Sequence, residues 1–214
     1  LIFGSAGLIG NQLLNKLIES NNYNKIKLFV RRVPKINDPK IQIIETDFNN
    51  LKNYKEDIKG DDCFFCIGTT KKNTSDKDEY RRIEYNIPVE IAQIAKLNTV
   101  NYFLYVSSGF ADPKSSSSYL RYKGKVEEEL KKLNFPKLGI MRPSILLGSR
   151  KENRVMEKIG IFVMKIFSPL FLGGLKKMKP IHSEKVAKAM LIVAQNDFQQ
   201  TIFESNQIVE IKKS

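Results

Sequence analysis

Apolar runs rich in β-branched and aromatic residues alternate with longer amphipathic stretches along most of this chain, and that alternation narrows the fold more than any other feature. "KIKLFV", "IQIIET", "DDCFFCIG", "NYFLYVSS" and "KLGIMRPSILLG" have the length and make-up of strands. Between them lie "GNQLLNKLIES", "LKNYKEDIKG", "DEYRRIEYNIPVEIAQIAKL" and "SSYLRYKGKVEEELKKL", whose apolar residues recur at helical spacing. A strand, a helix and a further strand in succession need a crossover connection, so the strands lie parallel and helices cover both faces of the sheet. The pattern predicts an α/β chain built on a doubly wound parallel sheet.

With 214 residues, 42% of them hydrophobic, the chain can bury one substantial core and is short for two. A single domain over 1–214 is expected, with the sheet core in 1–150. From about 151 the alternation breaks: a basic stretch leads into "IGIFVMKIFSPLFLGGL" at 159–175 and then "HSEKVAKAMLIVAQ", where Ser183 can cap a helix. Residues 151–214 therefore read as a small C-terminal cap on the substrate side, integrated with the core. The 159–175 run falls short of the ~20 residues a spanning helix needs and is broken by Lys165 and Pro169, so no transmembrane segment is predicted. Flanked by Lys176, Lys177 and Lys179, it suits covering an apolar substrate or touching an anionic membrane, and equally well plain packing over the core.

The formal charge of +13 points toward an anionic partner. The lysines are dispersed, however, with only short clusters such as Lys71-Lys72, and no nucleic-acid motif accompanies them. Nucleic acid is not an expected partner. Two cysteines and one histidine cannot complete a four-ligand zinc site without carboxylates, so no metal is expected. Cys63 and Cys66 have the spacing of a redox pair but sit inside an apolar run instead of opening a helix, and they read as buried strand thiols. Their reduced state suits a cytoplasmic setting. His182 reads as a helix-entrance residue, and no G-x-S-x-G elbow supports a hydrolase. Leu1 is not an initiator residue, so residues upstream of it are expected.

The opening, "LIFGSAGLIG", gives the sheet a purpose. If "LIF" closes the first strand, Gly4 makes the tight turn, Gly7 lets the backbone approach a phosphate, and Gly10 lets the next helix pack closely on the sheet. The N–H groups and positive dipole end of that helix then face a diphosphate. The second strand ends about 20 positions beyond the glycines, where a residue meets the adenosine ribose of a dinucleotide. Arg31 and Arg32 stand there. A carboxylate would favour the free 2′-hydroxyl of NAD(H), whereas guanidinium groups pair with a 2′-phosphate, so NADP(H) is expected in preference to NAD(H). Asp47, after the third strand, is placed to accept a hydrogen bond from the adenine amino group, and Gly68, after the fourth, lets the chain pass close to the cofactor.

The chemistry is concentrated in "YVSSGFADPKSSSSYLRYKGKVEEEL". Tyr119 and Lys123 are four apart in a helical stretch and share a face. A free phenol with a pKa of about 10 is a poor acid or base at neutral pH, and a nearby ammonium stabilises the phenolate. Tyr119 thereby becomes a usable acid/base. The strand ending in "VSS" can set a serine hydroxyl beside the same carbonyl oxygen, with Ser108 preferred and Ser107 as the alternative. Glycine turn, arginine pair, strand-borne serine, then Tyr and Lys fall in the order a nicotinamide-dependent reductase requires.

These residues resemble the short-chain dehydrogenases and reductases, and within them the atypical branch of Tat-interacting-protein-like oxidoreductases. "GSAGLIG", "VRR", "DDCFFCIGTTKK", "FLYVSSGFAD", "YLRYKGKVEEEL" and "MRPSILLGSR" are similar to that branch's blocks, in the same order and over nearly the whole chain. The resemblance implies a Rossmann fold holding NADP(H), with cofactor contacts from Ser5, Ala6, Gly7, Leu8, Ile9, Arg31, Arg32, Ile67, Gly68 and Arg150. It further implies Tyr119 as proton donor or acceptor, Lys123 binding the ribose and tuning the phenol, and Ser108 as the carbonyl partner. One departure stands out: the asparagine that many relatives carry in the fourth helix aligns near Glu84, and the nearest asparagine, Asn86, is two places off. Two functions are consistent with this reading. The first is an NADP(H)-dependent oxidoreductase acting on a small carbonyl or alcohol substrate. The alternative is a non-catalytic NADP(H)-binding module that engages a protein partner.

Overall fold

The structure is a computed structural model that describes residues 1–147 and 180–212. The expectations placed on Arg150, on the apolar run 159–175 and on Lys176, Lys177 and Lys179 lie outside the described residues.

Seven parallel strands form the main sheet. They are β1 (Ile2–Phe3), β2 (Ile26–Val30), β3 (Ile41–Glu45), β4 (Asp62–Phe65), β5 (Tyr102–Val106), β6 (Lys137–Arg142) and β9 (Ile202–Glu204), in the order β3-β2-β1-β4-β5-β6-β9. The order reverses beside β1, which pairs with β2 on one side and β4 on the other. In such sheets a ligand settles in the crevice outside the carboxyl ends of the strands at this reversal. A separate two-stranded piece joins β7 (Leu146–Leu147) to β8 (Ile181–His182).

Alternate residues of each strand feed two apolar layers, which is why the strands read as nearly continuous apolar runs. Ile2, Leu28, Phe64, Leu104 and Met141 pack beneath α1 (Leu8–Glu19) and α5 (Ser183–Gln195). Phe3, Phe29, Phe65, Phe103 and Ile140 face α3 (Ile87–Leu97) and α4 (Ser118–Lys132). The phenyl rings of Phe3 and Phe29 stack at 4.3 Å and tie the first two strands together just before the glycine turn.

Three sequence readings are refined. "LKNYKEDIKG" was expected to be helical, but only a 3-10 turn at Leu51–Tyr54 forms, because Leu51 and Ile58 are the only residues of this stretch that are fully buried and one short turn is enough to seat them. The long stretch beginning "DEYRR" is divided: α2 (Lys77–Arg81), a π turn at Arg82–Asn86, then α3. His182 occupies the position before α5, and Ser183 is the first residue inside it. After residue 180 the alternation resumes, since α5 packs against α1 and β9 extends the sheet beside β6. Lys16 pairs with Glu184 at 3.3 Å, and Gln195 donates to the Ser20 hydroxyl at 2.9 Å. A short α6 (Ser205–Glu210) follows, with Glu204 and Gln207 forming a capping box. No helix among the described residues is long and apolar enough to cross a membrane.

Candidate nucleotide and active site

The turn after β1 is shaped by what two glycines permit. Gly4 has φ +88°, a left-handed conformation that a side chain disfavours, and a Cβ there would lie 2.7 Å from the backbone carbon of Cys66. At Gly10 a Cβ would fall 2.1 Å from the carbonyl oxygen of Gly4, so α1 approaches the turn as closely as backbone allows. Gly7 precedes α1, donates to the Gly4 carbonyl at 3.0 Å and brings no side-chain cap. The first turn of α1 carries no acidic residue. Its N–H groups are left for an anion or water, as a diphosphate cradle requires. Ser5, Ile9 and Gly10 are buried beneath this turn, Gly7 and Leu8 are half-buried, and Ala6 is exposed above it.

Arg31 and Arg32 follow β2 directly and are both exposed. Arg31 lies near Glu79, whose carboxylate is held below its ordinary range first by hydrogen bonding to Arg82 and in small part by Arg31. Asp47 is exposed after β3 and is turned on its own loop: its two oxygens accept from the backbone N–H and side-chain amide of Asn49, both at 2.8 Å. Those bonds, led by the Asn49 backbone, keep its carboxyl below the usual range.

Tyr119 and Lys123 emerge from the first turns of α4. Lys123 is buried; its ammonium donates to the Val106 carbonyl at 3.2 Å and lies 5.0 Å from the Tyr105 ring centre and 5.9 Å from that of Tyr119. The loop after β4 touches both halves of the site. Its Cys66 and Ile67 backbone abuts Gly4, while a Cβ on Gly68 would stand 3.8 Å from Lys123 Nζ and 3.4 Å from Glu84 Oε1. Glu84 is the residue sequence reasoning left without a role. It is buried, sits 3.2 Å from Lys123, and accepts the Thr69 N–H at 2.5 Å, whereas Asn86 is exposed on the same π turn. Only its misfit with the expected asparagine marked it in the sequence.

The two serines after β5 are in different surroundings. Ser107 is buried and donates to Glu127 at 2.5 Å. Glu127 in turn takes Arg142 in a two-pronged pair at 2.5 and 3.0 Å, and Arg142 reaches Glu204 at 3.2 Å. Ser108 is half-buried, and its hydroxyl donates at 3.3 Å to the Gly109 carbonyl. Gly109, Phe110, Arg142 and Glu204 line a cleft of about 220 Å³ at this end of the sheet. Phe110 is 56% exposed and holds φ +64°, an uncommon conformation for a side-chain-bearing residue. The Ser107–Glu127–Arg142–Glu204 chain has no local signature in the sequence, because its members are scattered over the loop after β5, α4, β6 and β9.

Burial pushes the thiols of Cys63 and Cys66 up to about 12, far from a reactive thiolate. His182 is exposed at the start of α5. Among the described residues no group of three or more His, Cys, Asp and Glu could hold a metal.

A parallel sheet reversing beside β1 and a glycine-shaped turn under a helix N-terminus define a Rossmann-type nucleotide-binding fold. The family model described as NAD(P)H-binding matches residues 4–197, and the chain belongs to that family. Protein FMP52-1, mitochondrial, of Scheffersomyces stipitis is 32% identical over 225 residues, covering 99% of this chain and 97% of the relative. HTATIP2 of Rattus norvegicus is 32% identical over 157 residues, covering 72% of this chain and 64% of the relative. Among solved structures, MoeE5 in complex with UDP-glucuronic acid and NAD superposes with a TM-score of 0.69 at 19% identity, over 94% of this chain and 73% of that one. UDP-glucose 4-epimerase of Thermotoga maritima gives 0.70 at 13% identity, over 98% and 79%. These likenesses bear on the fold. The expectation of a cytoplasmic setting is corrected: relatives from several yeasts carry names that place them in mitochondria, a location that the reduced state of two thiols could not distinguish from the cytoplasm.

Proposed function

We propose that this chain is an NADP(H)-dependent oxidoreductase that moves a hydride between nicotinamide and a carbonyl or alcohol carbon, with Tyr119 passing the proton. The observation that carries this reading is the shared loop after β4: its Cys66–Ile67 backbone seats the glycine turn, and its Gly68 lies against Lys123, so nucleotide cradle and Tyr-Lys pair meet at one strand end. The residues fit the cofactor on physical grounds. The Gly4–Gly10 turn and the open N-terminus of α1 suit a diphosphate, and the exposed guanidinium groups of Arg31 and Arg32 suit an adenosine 2′-phosphate.

Bound there, the nicotinamide supplies or accepts the hydride. Tyr119 donates its phenolic proton to the carbonyl oxygen in reduction and takes it back in oxidation, with the ammonium of Lys123 5.9 Å from its ring centre. Ser108 holds the same oxygen by a hydrogen bond and steadies its developing charge. Ser108 is preferred to Ser107 because the Ser107 hydroxyl is already committed to Glu127. Asp47 is assigned to the adenine edge, and Arg150 to a further cofactor contact. The mitochondrial names of the yeast relatives support a mitochondrial location for this chain, checked by imaging a tagged copy.

Melting curves with NADP, NADPH, NAD and NADH test the nucleotide half of the reading, since a ligand at about 100 times its dissociation constant stabilises a protein by roughly 2.7 kcal/mol. A shift with the phosphorylated pair alone is expected. Equal shifts with all four overturn the assignment of Arg31 and Arg32, and no shift with any of them overturns the function.

A further inference from the structure

Lys123 carries its charge where water does not reach. Its side chain is 5% exposed and that of Glu84 is 1% exposed, with 3.2 Å between ammonium and carboxylate. The groups facing the ammonium are Cys66 from the end of β4, Tyr80 from α2, Glu84 from the π turn, Tyr105 and the Val106 carbonyl from β5, and Tyr119 from α4 itself. Glu84 is the only carboxyl side chain among these.

Glu84 is also fixed in place. The π turn at Arg82–Asn86 widens the helix by one residue and directs Glu84 inward, where the Thr69 N–H anchors its other oxygen at 2.5 Å. We propose that Glu84 is a positioning residue of this site: it holds Lys123 as a fixed cation beside Tyr119, in the stead of the asparagine expected nearby. The proposal rests on the Tyr119–Lys123 reading given above. Burial drives the amine toward its neutral form and is the largest single influence on it; the Glu84 carboxylate, the strongest of the opposing groups, acts with Tyr105 and Tyr119 to hold Lys123 above its ordinary range.

Exchange of Glu84 for Gln keeps the shape and the acceptor for Thr69 while removing the charge. Burial then governs Lys123. In the wild type a raised folded-state pKa contributes stability below the unfolded value of about 10.4, and that contribution is lost only as pH rises through the folded value. In E84Q the folded value falls below the unfolded one. The buried cation then costs stability at low pH, and the cost fades as pH rises through the lowered value.

The test uses the whole chain as wild type, E84Q, E84D and E84Q/K123M, melted without nucleotide and titrated with NADPH at about pH 6.5 and about pH 9.5. E84Q is expected to melt below wild type at the lower pH, with at least half of the gap closed at the higher one. Its NADPH affinity is expected to fall about tenfold more than that of wild type over the same range, as Lys123 loses its charge. E84D should follow wild type, and the double variant should show neither pH dependence. A melting gap between E84Q and wild type that is equal at both pH values overturns the proposal. If E84Q fails to fold, a folded E84Q/K123M supports it and an unfolded one overturns it. Failure of wild type to bind NADPH removes the proposed function alone, because the melting comparison needs no nucleotide.

Discussion

The ammonium of Lys123 lies 5.9 Å from the centre of the Tyr119 ring, one helical turn away, and the two side chains leave α4 on the face that meets the sheet's carboxyl edge. A second phenol, Tyr105, is still nearer to that ammonium at 5.0 Å but is completely buried, and burial pushes its ionisation up despite the cation. Only Tyr119 is open enough to meet a substrate. Tyr119→Phe is therefore expected to lower kcat by about 10²- to 10⁴-fold while leaving the NADPH dissociation constant within about twofold. Steady-state kinetics and fluorescence titration check this; full turnover in the variant removes Tyr119 from the chemistry.

Ser107 and Ser108 are adjacent in sequence and opposite in expected effect. Ser108→Ala should reduce kcat by about 10²-fold or more with little change in melting temperature, because it removes a donor to the developing charge. Ser107→Ala should cost about 1–3 kcal/mol of stability, since buried Glu127 loses a hydrogen-bond donor. Denaturant melts and kcat measured on both variants separate the roles.

For the arginine pair the expectation is selectivity. Replacing Arg31 and Arg32 with Ala removes charge-assisted bonds to a 2′-phosphate, each worth about 1.5–3 kcal/mol, so NADPH affinity should fall by about a hundredfold or more. NADH affinity should hold. Calorimetric titration with the two nucleotides gives the ratio, and a parallel loss for both shows the arginines acting elsewhere.

Gly10→Ala puts a methyl 2.1 Å from the Gly4 carbonyl oxygen, a distance that only movement of α1 can relieve. Such overpacking costs about 1–3 kcal/mol and lifts the helix N-terminus from its cradle. Both melting temperature and nucleotide affinity should drop. Because the clash is with backbone, repacking of side chains will not rescue it.

With their ionisation raised to about 12, Cys63 and Cys66 are expected to resist iodoacetamide in the native protein at about pH 8 and to react once the chain is unfolded. Mass spectrometry of native and denatured samples reads this directly. Rapid native alkylation at Cys66 would reopen a redox role.

Much of this molecule could be read from the chain because its signals are local. The glycine spacing, the continuous apolar strands and the Tyr-Lys interval each act over a few residues, and they led to the parallel sheet and to the α1 cradle. Glu84 escaped because nothing in "RRIEYN" announces a π turn, and without that extra residue of helix Asn86 and Glu84 are equally plausible inward groups. The Glu127–Arg142–Glu204 chain escaped for another reason: its charges come from α4, β6 and β9, and ordinary surface residues look the same in sequence. β9 is only three residues long, too short for a periodic pattern, and becomes a strand because β6 offers an open edge.

The clasp between α1 and α5, in which Ser20 meets Gln195 across a sequence separation of 175, has a bearing on how the molecule is assembled. The apolar side of α1 is covered only once α5, far downstream in the chain, has been made. A nascent copy therefore carries α1 with one side open until α5 emerges, and any premature stop before the closing helix leaves that side exposed to chaperones and proteases.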